Sequence, residues 1–282
     1  MASQYLDTRH GRIHYIDEGP RSPLASADRT LLFVHGTPTN SYEYRHLIAS
    51  LSATHRCIAP DHLGFGQSER PAAFPYTPEA HADVLREFVD RLRLERLTLV
   101  VHDFGGPIGL PLALADASRV DRVILMNTWA WPLDDDEKMA RGARFIAGRA
   151  GRWLYKYANA SLRVIMPSAY GDRRKLTRAI HRRYVEIFRD RTARVLVLHA
   201  LAKALLGSRA HYQWLLDRIG ELRKRRVLIV WGMKDSAFQP YQLTRWRALL
   251  PDAEVVPIEG AGHWPHEEQP ARVIDAIQRF LK

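Results

Sequence analysis

Short runs of branched and aromatic residues, each closed by a turn residue, recur along the chain and predict strands. Tyr5–Thr8 and Arg12–Asp17, parted by His10–Gly11, read as an opening hairpin. Thr30–Val34 stops at His35–Gly36, Arg56–Ala59 at Pro60–Asp61 and Leu97–Val101 at His102–Asp103. Val120–Met126, Val227–Trp231 and Glu254–Ile258 complete the set. The later runs do not alternate apolar with polar, so both of their faces are expected to be covered, as in a parallel sheet. Helical periodicity fills the intervals at Tyr42–Leu51, Thr77–Leu92, Gly106–Asp116, Gln239–Leu250 and Pro270–Leu281. Strands alternating with helices predict an α/β fold with helices on both faces of the sheet.

One interval breaks this rhythm. From Trp131 to Arg226 no strand pattern occurs, while apolar residues such as Tyr184, Ile187 and Phe188 recur at helical spacing. The expected organisation is a core built from residues 1–130 and 227–282, with a helical insertion over 131–226. Pro132 and the acidic run Asp134–Glu137 mark its entrance, and Glu221–Arg226 its exit.

Composition adds three constraints. The length of 282 residues with 46% hydrophobic content suits one large domain with an insertion and needs no staple. A single cysteine, Cys57, excludes an internal disulfide framework, a cysteine zinc finger and an iron–sulfur cluster. The net charge of +11 is unevenly placed. Lys138–Arg226 holds 23 Lys or Arg against 5 Asp or Glu, whereas the rest of the chain holds 19 against 26. Such a segment suits a solvated helical surface, or an acidic partner such as nucleic acid or a membrane surface. No zinc-finger, helix-turn-helix or RNA-binding aromatic motif accompanies it. The first residues lack the apolar core of a secretory signal, and the longest apolar run, Val195–Leu206, carries His199 and Lys203 and falls short of the ~20 residues of a membrane span. A cytoplasmic protein is expected.

The chemistry collects at strand ends, where open α/β sheets bind ligands. Strand Leu97–Val101 runs into His102-Asp103-Phe104-Gly105-Gly106 and then a helix, the strand–turn–helix setting of a nucleophile elbow, here with Asp in the exposed position. Strand Val227–Trp231 ends in Gly232-Met233-Lys234-Asp235, and Glu254–Ile258 is followed by Gly260-Ala261-Gly262-His263. The order Asp103, Asp235, His263 is nucleophile, acid, base. His35-Gly36-Thr37-Pro38 closes a further strand. Scattered His, Asp and Glu show no metal-ligand spacing, and Gly64-Phe65-Gly66-Gln67-Ser68 lacks the features of a phosphate loop, so neither metal nor cofactor is expected.

With His35-Gly36-Thr37-Pro38-Thr39-Asn40-Ser41, Pro60-Asp61-His62-Leu63-Gly64-Phe65-Gly66-Gln67-Ser68 and Trp231-Gly232-Met233-Lys234-Asp235, these motifs span the chain from about Thr30 to its end. They resemble the α/β-hydrolase superfamily, in its haloalkane dehalogenase and epoxide hydrolase branch. The resemblance implies a mostly parallel eight-stranded sheet flanked by helices, with the insertion acting as a helical cap. It implies a covalent aspartyl ester on Asp103, hydrolysed by water that His263 activates, with Asp235 orienting His263. Backbone N–H groups of Thr37 and Phe104 would form the oxyanion hole. Asp suits attack on saturated carbon, because the ester formed can be hydrolysed whereas a serine ether cannot.

The sequence departs from the branch where a halide would be held. Relatives commonly place Trp after the nucleophile and Asn or a cap Trp as the second donor; here the neighbour is Phe104, and Thr37 stands in the loop position. Trp129, Trp131 and Asn40 are the expected substitutes, with Trp153 and Trp214 further off. An epoxide hydrolase would instead draw an acid from the cap tyrosines Tyr155, Tyr157, Tyr170, Tyr184 and Tyr212, and a lactone or ester hydrolase would need neither. The expected partners are a small apolar electrophile and water, with no nucleic acid or membrane, in a monomer or homodimer. The alternative of another class is a non-catalytic binding protein that uses the basic insertion.

Overall fold

The computed structural model describes residues 3–20, 30–116 and 118–282. Eight strands form one sheet: β1 (Ser3–Thr8), β2 (Gly11–Glu18), β3 (Thr30–Val34), β4 (Arg56–Pro60), β5 (Leu97–Asp103), β6 (Val120–Thr128), β7 (Arg226–Gly232) and β8 (Glu254–Ile258). Their order across the sheet is β1-β2-β4-β3-β5-β6-β7-β8. β2 runs antiparallel to β1 and β4, and every other neighbouring pair is parallel. The sequence expectation of a mostly parallel α/β sheet therefore holds, strand for strand.

Period-2 alternation divides the sheet's side chains between two cores. Leu31, Phe33 and Val100 point to one, with the helices Arg45–Leu51 and Pro270–Leu281. Leu32, Val34, Leu99 and Val101 point to the other, with Pro78–Arg91, Gly105–Ala115 and Pro240–Leu249. All of Leu97–Asp103 is buried, which explains why Leu97–Val101 does not alternate apolar with polar. Each fully buried large apolar side chain contributes roughly 1.5–3 kcal/mol, so the central strands are held firmly and their carboxyl ends make a rigid platform.

Between β6 and β7 the chain is helical throughout, including Glu137–Ala147, Arg178–Ile187, Ala200–Gly207 and Arg209–Arg218. Asp136 starts the first of these by accepting hydrogen bonds from the amides of Lys138 at 3.0 Å and Met139 at 3.1 Å, so the acidic run at this entrance works as a helix cap. Leu154–Ala158, Ser161–Ile165 and Arg194–His199 are wide π-type turns, which periodicity does not reveal. No helix among the described residues is long and apolar enough to cross a membrane.

Candidate active site

Asp103 is the last residue of β5 and adopts a left-handed φ of +52°. A non-glycine residue there is strained, and such strain persists only where the surroundings fix it. Thr128 Oγ1 does part of this, donating to the Asp103 carbonyl at 2.6 Å. Two glycines make room for the bend. A Cβ on Gly36 would lie 2.3 Å from Asp103 Oδ1, and one on Gly105 only 2.0 Å from the Val34 carbonyl oxygen. The turn therefore presents the carboxylate beyond the sheet edge, where the helix Gly105–Ala115 begins.

The Thr37 amide donates to Asp103 Oδ1 at 2.8 Å. Asp103 Oδ2 faces His263, whose Nε2 is 3.4 Å away. On the far side of the imidazole, His263 Nδ1 donates to Asp235 Oδ2 at 2.7 Å. Asp235 is held in turn by Asn127 Nδ2 at 2.8 Å and by the Ala237 amide at 2.7 Å. Thus three residues from the ends of three strands, spread over the sequence, meet in one hydrogen-bonded line. All are nearly buried: Asp103 is 7%, Asp235 3% and His263 4% exposed.

Burial alone would push the His263 imidazole down, but the Asp235 charge and the hydrogen bonds to Asp103 and Asp235 outweigh it. Its pKa is pushed up to about 10. The proton on His263 thus stabilises the fold fully below an ordinary imidazole value, and that contribution fades as pH rises through about 10. Neutralising one carboxylate must lower this value. In Asp103→Asn, nuclear magnetic resonance of the His263 ring is expected to show titration well below that of the parent; an unchanged midpoint would mean that Asp103 does not act on the imidazole.

A second buried network lies beneath. His102 Nε2 is 2.7 Å from the His263 carbonyl oxygen and its Nδ1 is 3.2 Å from Glu43 Oε1. Thr39 Oγ1 donates to the other Glu43 oxygen. Burial raises the Glu43 carboxyl, but His102 and the neighbouring imidazoles prevail and hold it at about 2. With His266, this is the one grouping of metal-type ligands among the described residues, its ligand atoms lying within 4.8 Å of one another. Glu43 and His102 are already hydrogen-bonded to protein, and the network anchors the backbone that carries His263.

A cavity of about 350 Å³ opens over Asp103 and His263, walled by residues of the helical stretch after β6, Leu133, Met139, Ile146 and Leu198 among them. Thr37, Phe104 and Trp129 also line it. The Phe104 ring stands edge-on to Trp129 at 4.8 Å. Three buried donors at this cavity have no hydrogen-bond partner among the described residues: Trp129 Nε1, Trp264 Nε1 and Thr37 Oγ1. A buried N–H left this way calls for a ligand acceptor or a water.

Two expected residues lie elsewhere. Asn40 Oδ1 accepts from the Tyr42 amide at 2.9 Å, capping the turn Ser41–Tyr44, and its side chain borders a separate cleft. Trp131 packs on Trp246 at 5.1 Å under the Arg245 guanidinium; it is not part of the cavity wall. Of the other tryptophans, Trp153 is 59% exposed and Trp214 borders a cleft against the helix Gly105–Ala115. Among the five tyrosines only Tyr155 lines the cavity. Tyr170 and Tyr184 donate to Glu267, Tyr212 to the Ala204 carbonyl, and Tyr157 is exposed. Asn127 and Trp264 went unnoticed in the sequence. Trp264 adjoins His263, and that adjacency was the one available signal.

A profile described as alpha/beta hydrolase fold matches residues 29–270. Haloalkane dehalogenase 2 of Mycobacterium tuberculosis is 36% identical over 281 residues, covering 99% of this chain and 94% of the relative. The cis-3-alkyl-4-alkyloxetan-2-one decarboxylase of Xanthomonas campestris is 32% identical over 295 residues, covering 98% and 95%. Among solved structures, haloalkane dehalogenase DbeA from Bradyrhizobium elkani superposes with a TM-score of 0.87 at 21% identity, covering 99% of this chain and 97% of that one. The chain belongs to the α/β-hydrolase fold family and is an enzyme of the haloalkane dehalogenase-like type.

Proposed function

We propose that the protein cleaves a carbon–halogen bond in a small apolar molecule through an ester on Asp103. Asp103 Oδ2 attacks the saturated carbon and the halide leaves with the bonding pair. Oδ1, now the ester carbonyl oxygen, stays on the Thr37 amide, and the Phe104 amide serves as second donor once charge develops on it. Ester formation removes the Asp103 charge that helps to keep His263 protonated, so the imidazole releases its proton to solvent, the proton that accompanies the halide, and becomes the base for water. Asp235 then stabilises the imidazolium formed as water attacks the ester carbonyl. The helical stretch 131–226 serves as the cap that keeps bulk water from this step.

The observation that carries the reading is the presence, in one apolar cavity, of the Asp103 carboxylate and the partnerless indole N–H groups of Trp129 and Trp264. Such donors suit a departing halide. They replace the groups missing at positions 37 and 104. An epoxide would need paired tyrosine acids; Tyr241 on the cavity wall already donates its hydroxyl to Asp136, and of the five tyrosines of the insertion only Tyr155 lines the cavity. Burial pushes its hydroxyl up to about 12, making it a weak acid.

A second reading is supported by the oxetanone decarboxylase relatives. The same carboxylate can open a strained β-lactone at its alkyl carbon, the released carboxylate taking the halide's place on the indole donors. A panel of bromoalkanes, chloroalkanes, epoxides and a β-lactone separates the two. Halide release is expected, and Trp129→Phe should slow it ~100-fold while keeping the aromatic packing, because one buried donor to a developing charge is lost. Lactone turnover without any halide release would replace the first reading by the second. An unchanged rate in Trp129→Phe would remove Trp129 from the leaving-group site.

A further inference from the structure

The stretch from Lys138 to Ile165 contains seven Lys or Arg residues and no Asp or Glu. It also holds most of the surface hydrophobics. Seven large apolar side chains are exposed among the described residues, and five of them are Phe145, Trp153, Tyr157, Val164 and Ile165. The Trp153 and Tyr157 rings lie 5.6 Å apart, and Lys156 and Arg191 both stand over Tyr157, at 5.2 and 5.5 Å. Arg141, Arg149, Arg152 and Arg163 are exposed, with no carboxylate partner among the described residues. A solvated helical face would explain the arginines but not the tryptophan, tyrosine and aliphatic groups set among them.

Aromatic and aliphatic groups mixed with unpaired cations are the composition of a face that lies in the boundary between lipid headgroups and acyl chains. Nucleic acid shares the charge preference, but exposed Val164 and Ile165 offer nothing to phosphates or bases. We propose that this face docks on an anionic lipid surface, with its arginines on the lipid phosphates and its apolar groups in the boundary layer. The contact is peripheral and needs no spanning segment. The absence of a span, which led to the expectation of no membrane partner, does not bear on it.

The position of the face gives the contact a use. Ile165 is both exposed and part of the wall of the cavity over Asp103, and half-buried Ile146, the neighbour of exposed Phe145, also lines that wall. Docking places the rim of the cavity against the layer in which apolar molecules concentrate. The docking surface stands whichever bond the enzyme cleaves, and its test uses no substrate.

The test is co-sedimentation of the whole protein with vesicles of equal phosphatidylglycerol and phosphatidylcholine, and with phosphatidylcholine alone. Binding is expected to the first only, and to weaken with salt. Arg149→Gln with Arg152→Gln should weaken it about twenty-five-fold, near five-fold for each charge. Trp153→Ala with Tyr157→Ala should also weaken it, while both double variants keep their circular dichroism. No binding to the anionic vesicles would overturn the proposal. Equal binding to both vesicle types would do so too, as would unweakened binding by folded double variants. Retention on DNA without vesicle binding would assign the face to nucleic acid instead.

Discussion

Replacing Asp103 by Ala is expected to reduce turnover by at least ~10⁴-fold, with the protein still folded. Among the described residues the carboxylate is the only group that combines exposure to the cavity, a backbone donor on one oxygen and an imidazole facing the other. An alanine keeps the bend of the chain but offers no atom to form the ester. The fold should tolerate it, because the cavity above is open and no core packing is lost. Steady-state turnover and thermal unfolding, measured together, check this. A folded variant that turns over within ten-fold of the parent would place the nucleophile elsewhere.

The second large effect is expected at Asp235. In Asp235→Asn the shape is kept, but the amide faces two groups that need an acceptor. Asn127 Nδ2 donates to Oδ2 and the Ala237 amide to Oδ1, so neither orientation of an amide satisfies the site. If the new –NH₂ faces His263 Nδ1, the ring proton moves to Nε2, the nitrogen that must accept a proton from water. The wrong tautomer costs ~10⁴-fold in related acid–base systems. The loss should fall on the second half of the reaction. Rapid-quench measurements are expected to show ester formation close to the parental rate, followed by very slow decay. Equal slowing of both phases would mean that Asp235 supports the architecture without governing His263.

The strands and most core helices were legible because their signals are local. Leu97–Val101 of β5 does not alternate because both of its faces are covered, and Ile13–Asp17 of β2 is buried on both faces likewise. Asp103, Asp235 and His263 were legible because each follows a strand and carries a turn signal. What joins them was not. Asn127 reaches Asp235 only because β6 pairs with β7 and its own backbone turns to a φ of +33°, and neither is visible in the sequence around it. Glu43 reads as one more helix residue, yet folding buries it against His102 from another strand. Trp131 and Asn40 illustrate the opposite difficulty. Both lie next to functional segments in sequence, but a two-residue step past Trp129 turns Trp131 toward Trp246, and Asn40 is used up in capping its own turn. Proximity along the chain found Trp129 and missed Trp264, since which indole lacks a partner depends on the packing around it.

The reaction depends on a bond to a single oxygen. His263→Phe removes the base and keeps a ring in its place, so the ester should form and persist. Mass spectrometry of this variant after exposure to a bromoalkane is expected to show one added alkyl group, and fragmentation should put it on Asp103. Intact protein of unchanged mass while bromide is still released, or an adduct on any other residue, would contradict the mechanism.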